Sequence, residues 1–300
     1  MSDGDYYIQE ERCGHLVTSE TKKLWSVQIS CLEQLKRICD KHNIQYFACG
    51  GTLLGAVRHK GYIPWDDDID VCMLEADYKK FCQIAPAELC EPFFFQNYKT
   101  QKGFGPSISR IRRSDTTGCT AYEKKLADEE YNCGIFIDIF PMFSVSSKKA
   151  LRVLKNVSIM KYKLALVGYE HMKMQEKQGK SFDLCVIYWR LMSVFMNHEK
   201  LSDRFLKACS VKNVNTKYIA PVSFTGFSER FIYERAWFDN STNMPFEYTD
   251  ICCPDSYDQI LRQLYGDYSV FVKGSATHSM AIVDTETSYK ERMSVETEQH

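Results

Sequence analysis

The chain has 300 residues, 44% of them apolar, which is enough to bury one sizeable core or a core with an annex. Lys+Arg 38 against Asp+Glu 39 leaves a formal charge of -1, so no global field is available to hold nucleic acid or an acidic surface, and phosphate recognition has to be local. Thirteen cysteines, an odd number with no CxxC pair, fit reduced thiols better than a disulfide framework. The polar, acidic start is unlike a signal peptide, and no run reaches the roughly 18 apolar residues of a membrane span; a soluble, cytoplasmic protein is expected.

In chain order, residues 1–18 read as an extension. Ser19 is placed to cap a helix running to about His42, because Leu24, Val27, Cys31, Leu35, Ile38 and Cys39 recur at spacings of three and four. Gln45–Cys49 reads as a buried strand that stops at Gly50-Gly51, followed by a short helix over Thr52–Val57. The stretch 60–64 breaks that helix, and Ile69–Met73 resumes an extended pattern. Glu75–Leu89 reads as a helix; Phe93–Phe95, Ser107–Arg112 and Ile135–Phe140 read as strands. From Lys148 to about Cys209 the pattern becomes helical, with Leu151, Leu154, Val157 and Met160 at helical intervals. The expected division is a mixed core at 19–146, a mainly helical annex at 147–284 and a flexible polar tail at 285–300.

The segment Trp65-Asp66-Asp67-Asp68-Ile69-Asp70-Val71 sets four carboxylates in five positions. They repel one another, and a cation or solvent has to offset that repulsion. On a strand, Asp68 and Asp70 would share one face, roughly 7 Å apart, and could converge on Mg2+, a hard cation that takes oxygen ligands. A solvated acidic turn is the simpler reading. Upstream, Gly50-Gly51-Thr52 lets backbone approach a ligand, and the following helix N-terminus offers N–H groups to a phosphate; a plain turn would look the same. Asp138 interrupts the apolar run Ile135–Phe140. It is either hydrogen-bonded for structural reasons or faces a polar site with a metal. Arg58, His59 and Lys60 follow the Gly-Gly helix, and Arg110 and Arg112 share a strand face; each is a candidate for phosphate oxygens, with Arg58 preferred, although solvated surface is the commoner place for such a charge taken alone. Trp65, Tyr62 and Tyr122 could form a cage for a quaternary ammonium group, although core packing is the default for such rings.

Together these elements resemble the nucleotidyltransferase superfamily. Residues Gly50 to Asp70, the run Phe136-Ile137-Asp138-Ile139-Phe140-Pro141 and the later Leu264-Tyr265-Gly266-Asp267-Tyr268 resemble the LicD family of phosphocholine transferases. The family's prolines before a histidine are missing here, where Ser269–Gly274 intervenes, and His278 takes the histidine's place as acid–base or orienting group. The resemblance implies an α/β (α+β) fold with a nucleotidyltransferase-like mixed sheet core and a C-terminal helical annex. It also implies a site in which Asp68, Asp70 and Asp138 hold Mg2+, with Mn2+ as an alternative, while Gly50, Gly51, Thr52, Arg58, His59, Lys60, Trp65, Arg110 and Arg112 bind substrate. The implied reaction moves phosphocholine or a similar phospho-alcohol from a CDP-activated donor to a glycan or glycolipid hydroxyl, with a peripheral encounter at the membrane where the acceptor is lipid-linked. Rival readings are a nucleotidyltransferase that leaves a nucleoside monophosphate on its acceptor, a DxD glycosyltransferase and a non-catalytic acidic metal-binding module. The glycosyltransferase fits less well, because only 67 residues precede the DxD, short for a doubly wound nucleotide-binding half.

Overall fold

A computed structural model describes residues 5–120, 123, 130–177, 187, 188, 191, 197–210, 216–221, 229–272 and 280–292. A short hairpin, β1 (Glu10–Arg12) and β2 (His15–Val17), precedes the long helix α1 (Ser19–His42). Thr18, not Ser19, caps that helix: its Oγ1 accepts from the Thr21 backbone N–H at 3.1 Å, one of the donors that a helix start leaves open. The expected apolar face of α1 is buried, from Leu24 to Cys39.

The central sheet is organised by one strand. β8 (Ile135–Val145) is eleven residues long and almost wholly buried, and β4 (Asp70–Leu74) runs parallel along one of its edges. The opposite edge is shared between β6 (Ser109–Arg113), which pairs with the first half, and β9 (Tyr218–Pro221), which pairs with the second. β3 (Phe47–Ala48) extends the sheet beyond β4, β5 (Phe93–Gln96) beyond β6, and β10 (Tyr233–Glu234) beyond β9. This is a mixed α/β fold with a mixed sheet at its centre.

Strand alternation sorts the faces. Ile137, Ile139, Val71 and Met73 join the main core with α1, while alternation puts Phe136, Asp138 and Phe140 on the other face, where Phe140 still packs into that core. α2 (Gly50–His59) links β3 to the acidic loop, and α3 (Glu75–Glu88) follows β4. α4 (Lys149–Lys177) and α5 (His198–Cys209) form a second, smaller core with Phe143 through Ile159, Leu166, Leu201 and Phe205. The face of α4 so used differs from the one the sequence spacing suggested: Leu151, Leu154 and Val157 are exposed.

Beyond Cys209 the annex is less helical than expected. Besides β9 and β10 it contributes the hairpin β11 (Ser241–Phe246) and β12 (Thr249–Pro254), the helix α6 (Tyr257–Tyr265) and β13 (Met280–Asp284), which pairs with β7 (Thr117–Thr120). These strands are short and find partners far away in sequence, so local periodicity does not announce them. The first residues of the expected tail are docked: the Tyr289 N–H reaches the Thr116 carbonyl at 3.1 Å, and its ring is buried with Phe104, Cys119, Tyr131 and Cys133. Among the described residues no helix is long and apolar enough to cross a membrane.

Candidate active site

The Gly-Gly turn and the acidic loop are built against each other. Gly50 has φ +55°, a backbone conformation that L side chains rarely adopt, and the Cys49 N–H ties the turn to the Asp70 carbonyl at 3.1 Å. A Cβ on Gly51 would lie 2.7 Å from Asp66 Oδ2, so only glycine lets the carboxylate approach this closely. Thr52 is buried; its Oγ1 accepts from the Asp70 N–H at 2.8 Å, fastening the start of β4 rather than opening to a ligand.

The acidic loop is held by its backbone from behind. Trp25 Nε1 donates to the Asp66 carbonyl at 3.0 Å and Gln28 Nε2 to the Asp67 carbonyl at 2.7 Å, both from α1. Tyr62 stacks on Trp25 at 4.4 Å between centroids and donates its hydroxyl to Gln28 Oε1, so it is a strut of this support and not a wall of a choline cage. With its carbonyls thus anchored, the loop directs its carboxylates forward.

Those carboxylates crowd one end of a cleft of about 960 Å³, lined by Gly50, Gly51, Trp65, Asp66, Asp68 and Asp70. Arg58 and Arg230 stand on its walls with Tyr265, Asp267 and Tyr268, while Phe140, Met142, Phe231, Tyr233 and Leu264 line an apolar part. Burial, reinforced by Asp68 and Asp67, pushes the Asp66 carboxyl up to about 8. Burial also raises Asp70 well above the ordinary carboxylate range, with Asp68, Asp138 and Asp66 adding to it and Arg110 opposing. Asp70 Oδ1 is buried without a hydrogen-bond partner, an expensive state for an acid in a closed protein.

Asp138 is the immediate register partner of Asp70 across the parallel β4–β8 ladder, and Arg110 is the register partner of Asp138 across β6–β8. Arg110 Nε contacts Asp138 Oδ1 at 2.6 Å and its Nη1 contacts Glu123 Oε1 at 2.5 Å. Burial tends to lower the Arg110 pKa, but these two carboxylates outweigh it and raise the value. Arg112, with no exposure, pairs with Glu123, donates Nε to Gln96 Oε1 at 2.5 Å and donates Nη1 to the Gly134 and Gly118 carbonyls. Neither arginine lines the cleft, so their expected role as phosphate ligands gives way to buried ion pairing.

A divalent cation prefers clustered carboxylate oxygens. Among the described residues, Asp66, Asp67 and Asp68 bring one oxygen each within 4.8 Å of one another. Asp68 lies in the loop before β4, so strand alternation does not set its direction, and the close trio is not Asp68, Asp70 and Asp138. The partnerless Oδ1 of Asp70 and the space kept open at Gly51 fit a cation at this end of the cleft.

Of the remaining candidates, Trp65 is half-buried on the cleft with its edge toward His15. Arg58 lines the cleft, but Nη1 also donates to the Tyr268 carbonyl at 2.8 Å and Nε to His59 Nε2 at 2.9 Å. His59 thereby supports Arg58 and does not line the cleft; burial and the neighbouring Arg58 and Arg12 charges pull it down to about 4. Lys60 is exposed in the left-handed C-cap of α2, away from the cleft. His278 and Tyr122 lie outside the described residues. Sequence reasoning missed Glu123 and Arg230, each in a polar stretch without periodicity; Tyr265 and Tyr268 carried a signal in their motif.

Residues 43–166, which hold the Gly-Gly turn, the three loop aspartates, Asp70, Arg110 and Asp138, match the family model described as LicD/FKTN/FKRP, nucleotidyltransferase domain. Over those residues the chain matches the LicD family. It is 47% identical over 58 residues, 19% of its length, to the lipopolysaccharide cholinephosphotransferase LicD of Haemophilus influenzae. It is also 44% identical over 68 residues, 23% of its length, to an uncharacterized protein of Rickettsia typhi. These stretches span 22% and 21% of the relatives, about a fifth of each. The cleft wall at Arg230 and Tyr265–Tyr268 lies outside the LicD domain match.

Proposed function

We propose that the protein is a metal-dependent transferase that moves phosphocholine, or a similar phospho-alcohol, from a CDP-activated donor to a hydroxyl of a glycan or its precursor. The observation that carries this reading is the partnerless, buried Asp70 Oδ1 beside the Gly50-Gly51 turn, in a domain of the LicD family. The Haemophilus relative, a lipopolysaccharide cholinephosphotransferase, supports the choice of transferred group and of a lipopolysaccharide-type acceptor. The alternative in which a nucleoside monophosphate stays on the acceptor uses the same acids and differs only in which phosphorus is attacked.

Asp66, Asp67, Asp68 and Asp70 would hold Mg2+ or Mn2+, with Asp138 completing their field from the next strand. When bound, the cation neutralises charge on the donor diphosphate and on the departing nucleotide. Arg58 and Arg230, on the cleft walls, are placed to take phosphate oxygens. Trp65, Tyr265 and Tyr268 give the transferred alcohol rings to lie against, a surface suited to a quaternary ammonium. Acids and arginines fix donor and acceptor so that the acceptor oxygen meets phosphorus in line: a phosphodiester bond forms, the phosphoanhydride bond breaks and the nucleoside monophosphate leaves. Action on a lipid-linked acceptor from the cytoplasmic side, with a peripheral membrane encounter, belongs to the same proposal.

A mass-spectrometric product screen tests it, offering CDP-choline, CDP-ribitol, CDP-glycerol and nucleoside triphosphates with glycan acceptors and Mg2+. Acceptor gaining a phospho-alcohol, with release of CMP, is expected. Acceptor gaining a nucleoside monophosphate would establish the nucleotidyltransferase alternative, and no product with any donor would overturn both.

A further inference from the structure

Four buried charges sit behind the acid cleft: Arg110, Arg112, Glu123 and Asp138, each with 8% exposure or less. They balance two against two, but unequally in space. Glu123 Oε1 meets both guanidinium groups, whereas Asp138 meets Arg110 through Nε. Glu123 is itself fixed from the main chain, since the Thr120 N–H donates to its Oε2 at 3.1 Å while its own N–H donates to Thr120 Oγ1 at 3.2 Å. Arg112 also donates to Gln96 and to the Gly118 and Gly134 carbonyls, so that side chain has little freedom to move. Arg110 in turn lies 3.7 Å above the Phe136 ring.

We propose that Glu123 is a positioning residue for the acid site: by taking up the charge of Arg112 and part of that of Arg110, it leaves Asp138 with negative charge directed at Asp70 and the cleft. The physical argument is one of competition. Remove the charge at Glu123 and two buried cations are left with Asp138 as their remaining carboxylate, because no other acid is paired to either among the described residues. In a low-dielectric interior such cations neutralise Asp138, and the field that would hold a divalent cation near Asp70 weakens although no atom of the cleft has been replaced. Glu123 thus acts on the site through Arg110. The link to cation binding rests on the metal-dependent reading above; the link between Glu123 and Asp138 rests on geometry alone.

The test measures Mn2+ affinity by calorimetry, and melts without metal, for wild type, E123Q, E123D, D138N and E123Q/D138N. E123Q is expected to weaken Mn2+ binding by about tenfold, the scale on which partners of metal ligands act. E123D, which restores the charge, should bind close to wild type. In the melts E123Q/D138N should lose more than the sum of the single variants, because both acids serve Arg110. If E123Q does not fold, E123Q/R112M restores charge balance and still leaves Asp138 alone with Arg110, so the same loss of affinity is expected. Additive melts, or Mn2+ affinity unchanged in E123Q, would overturn the proposal. A wild type that binds no Mn2+ would refute the metal reading instead, and the melts would then decide whether Glu123 and Asp138 share Arg110.

Discussion

Two acidic regions meet at the β4–β8 ladder, and the protein treats them in opposite ways. On the β8 side, Asp138 and Glu123 are matched by Arg110 and Arg112, each contact made by buried groups at hydrogen-bonding distance. On the β4 side, Asp66, Asp68 and Asp70 line the cleft, Asp70 Oδ1 is buried without a hydrogen-bond partner, and burial drives the Asp66 and Asp70 carboxyls upward. Arginines one strand away neutralise the first group, whereas the proposed cation would neutralise the second. That contrast, more than the number of carboxylates, separates a structural ion network from a ligand site.

The comparison can be broken most forcefully on the compensated side. Arg112→Met leaves Glu123 buried with one cation fewer and should cost ~3–5 kcal/mol in denaturant unfolding, since breaking a buried pair strands its partner. A loss within the error of the fit would mean that the network is not holding the fold. On the uncompensated side Asp70→Asn should reverse the pattern. Turnover is expected to fall by about 100-fold, while the melt without metal stays level or rises, because the variant removes a buried charge that has no partner. Unchanged turnover would remove Asp70 from the site.

Gly51→Ala sharpens the contrast with a smaller effect. The added Cβ would stand 2.7 Å from Asp66 Oδ2, so the carboxylate has to shift, and turnover should fall on the order of tenfold with little change in stability. The least effect is expected at His59, pulled down to about 4 by burial and by the Arg58 and Arg12 charges. A histidine whose folded pKa lies below its unfolded one contributes stability that is complete above about 6.5 and is lost as pH falls toward 4. Melts across that interval should therefore rise with pH in wild type and be flatter in His59→Gln. Equal slopes would show that His59 does not stay neutral to accept from Arg58.

Much of this contrast was legible in the sequence. The helix from 19 to 42 followed from its apolar spacing, the turn at Gly50-Gly51 from two glycines ending an apolar strand, and Asp138 from a carboxylate set in an otherwise apolar run. What local pattern could not supply was the partner of each charge. Arg110 and Arg112 looked like phosphate ligands because their shared face was readable and Glu123, which turns them inward, stands in a polar stretch with no period. In the sequence Asp138 reads either as hydrogen-bonded for structural reasons or as facing a metal site; the structure pairs it with Arg110, so Asp138→Asn should cost stability without metal. Tyr62 looked like a cage residue because its stacking partner Trp25 is 37 positions away. Strands β9 and β10 went unread because they complete the sheet through β8, whose pairing a short segment does not reveal.

Under the proposed reading, a divalent cation supplies positive charge at the Asp66–Asp70 end of the cleft. This reading is tested most directly by thermal melts of wild type and Asp70→Asn, each with chelator and with saturating Mg2+. The account predicts that Mg2+ raises the melting temperature of wild type and raises that of Asp70→Asn much less, the variant starting level with or above wild type in chelator. An equal Mg2+-induced shift in both proteins, or none in either, would contradict it.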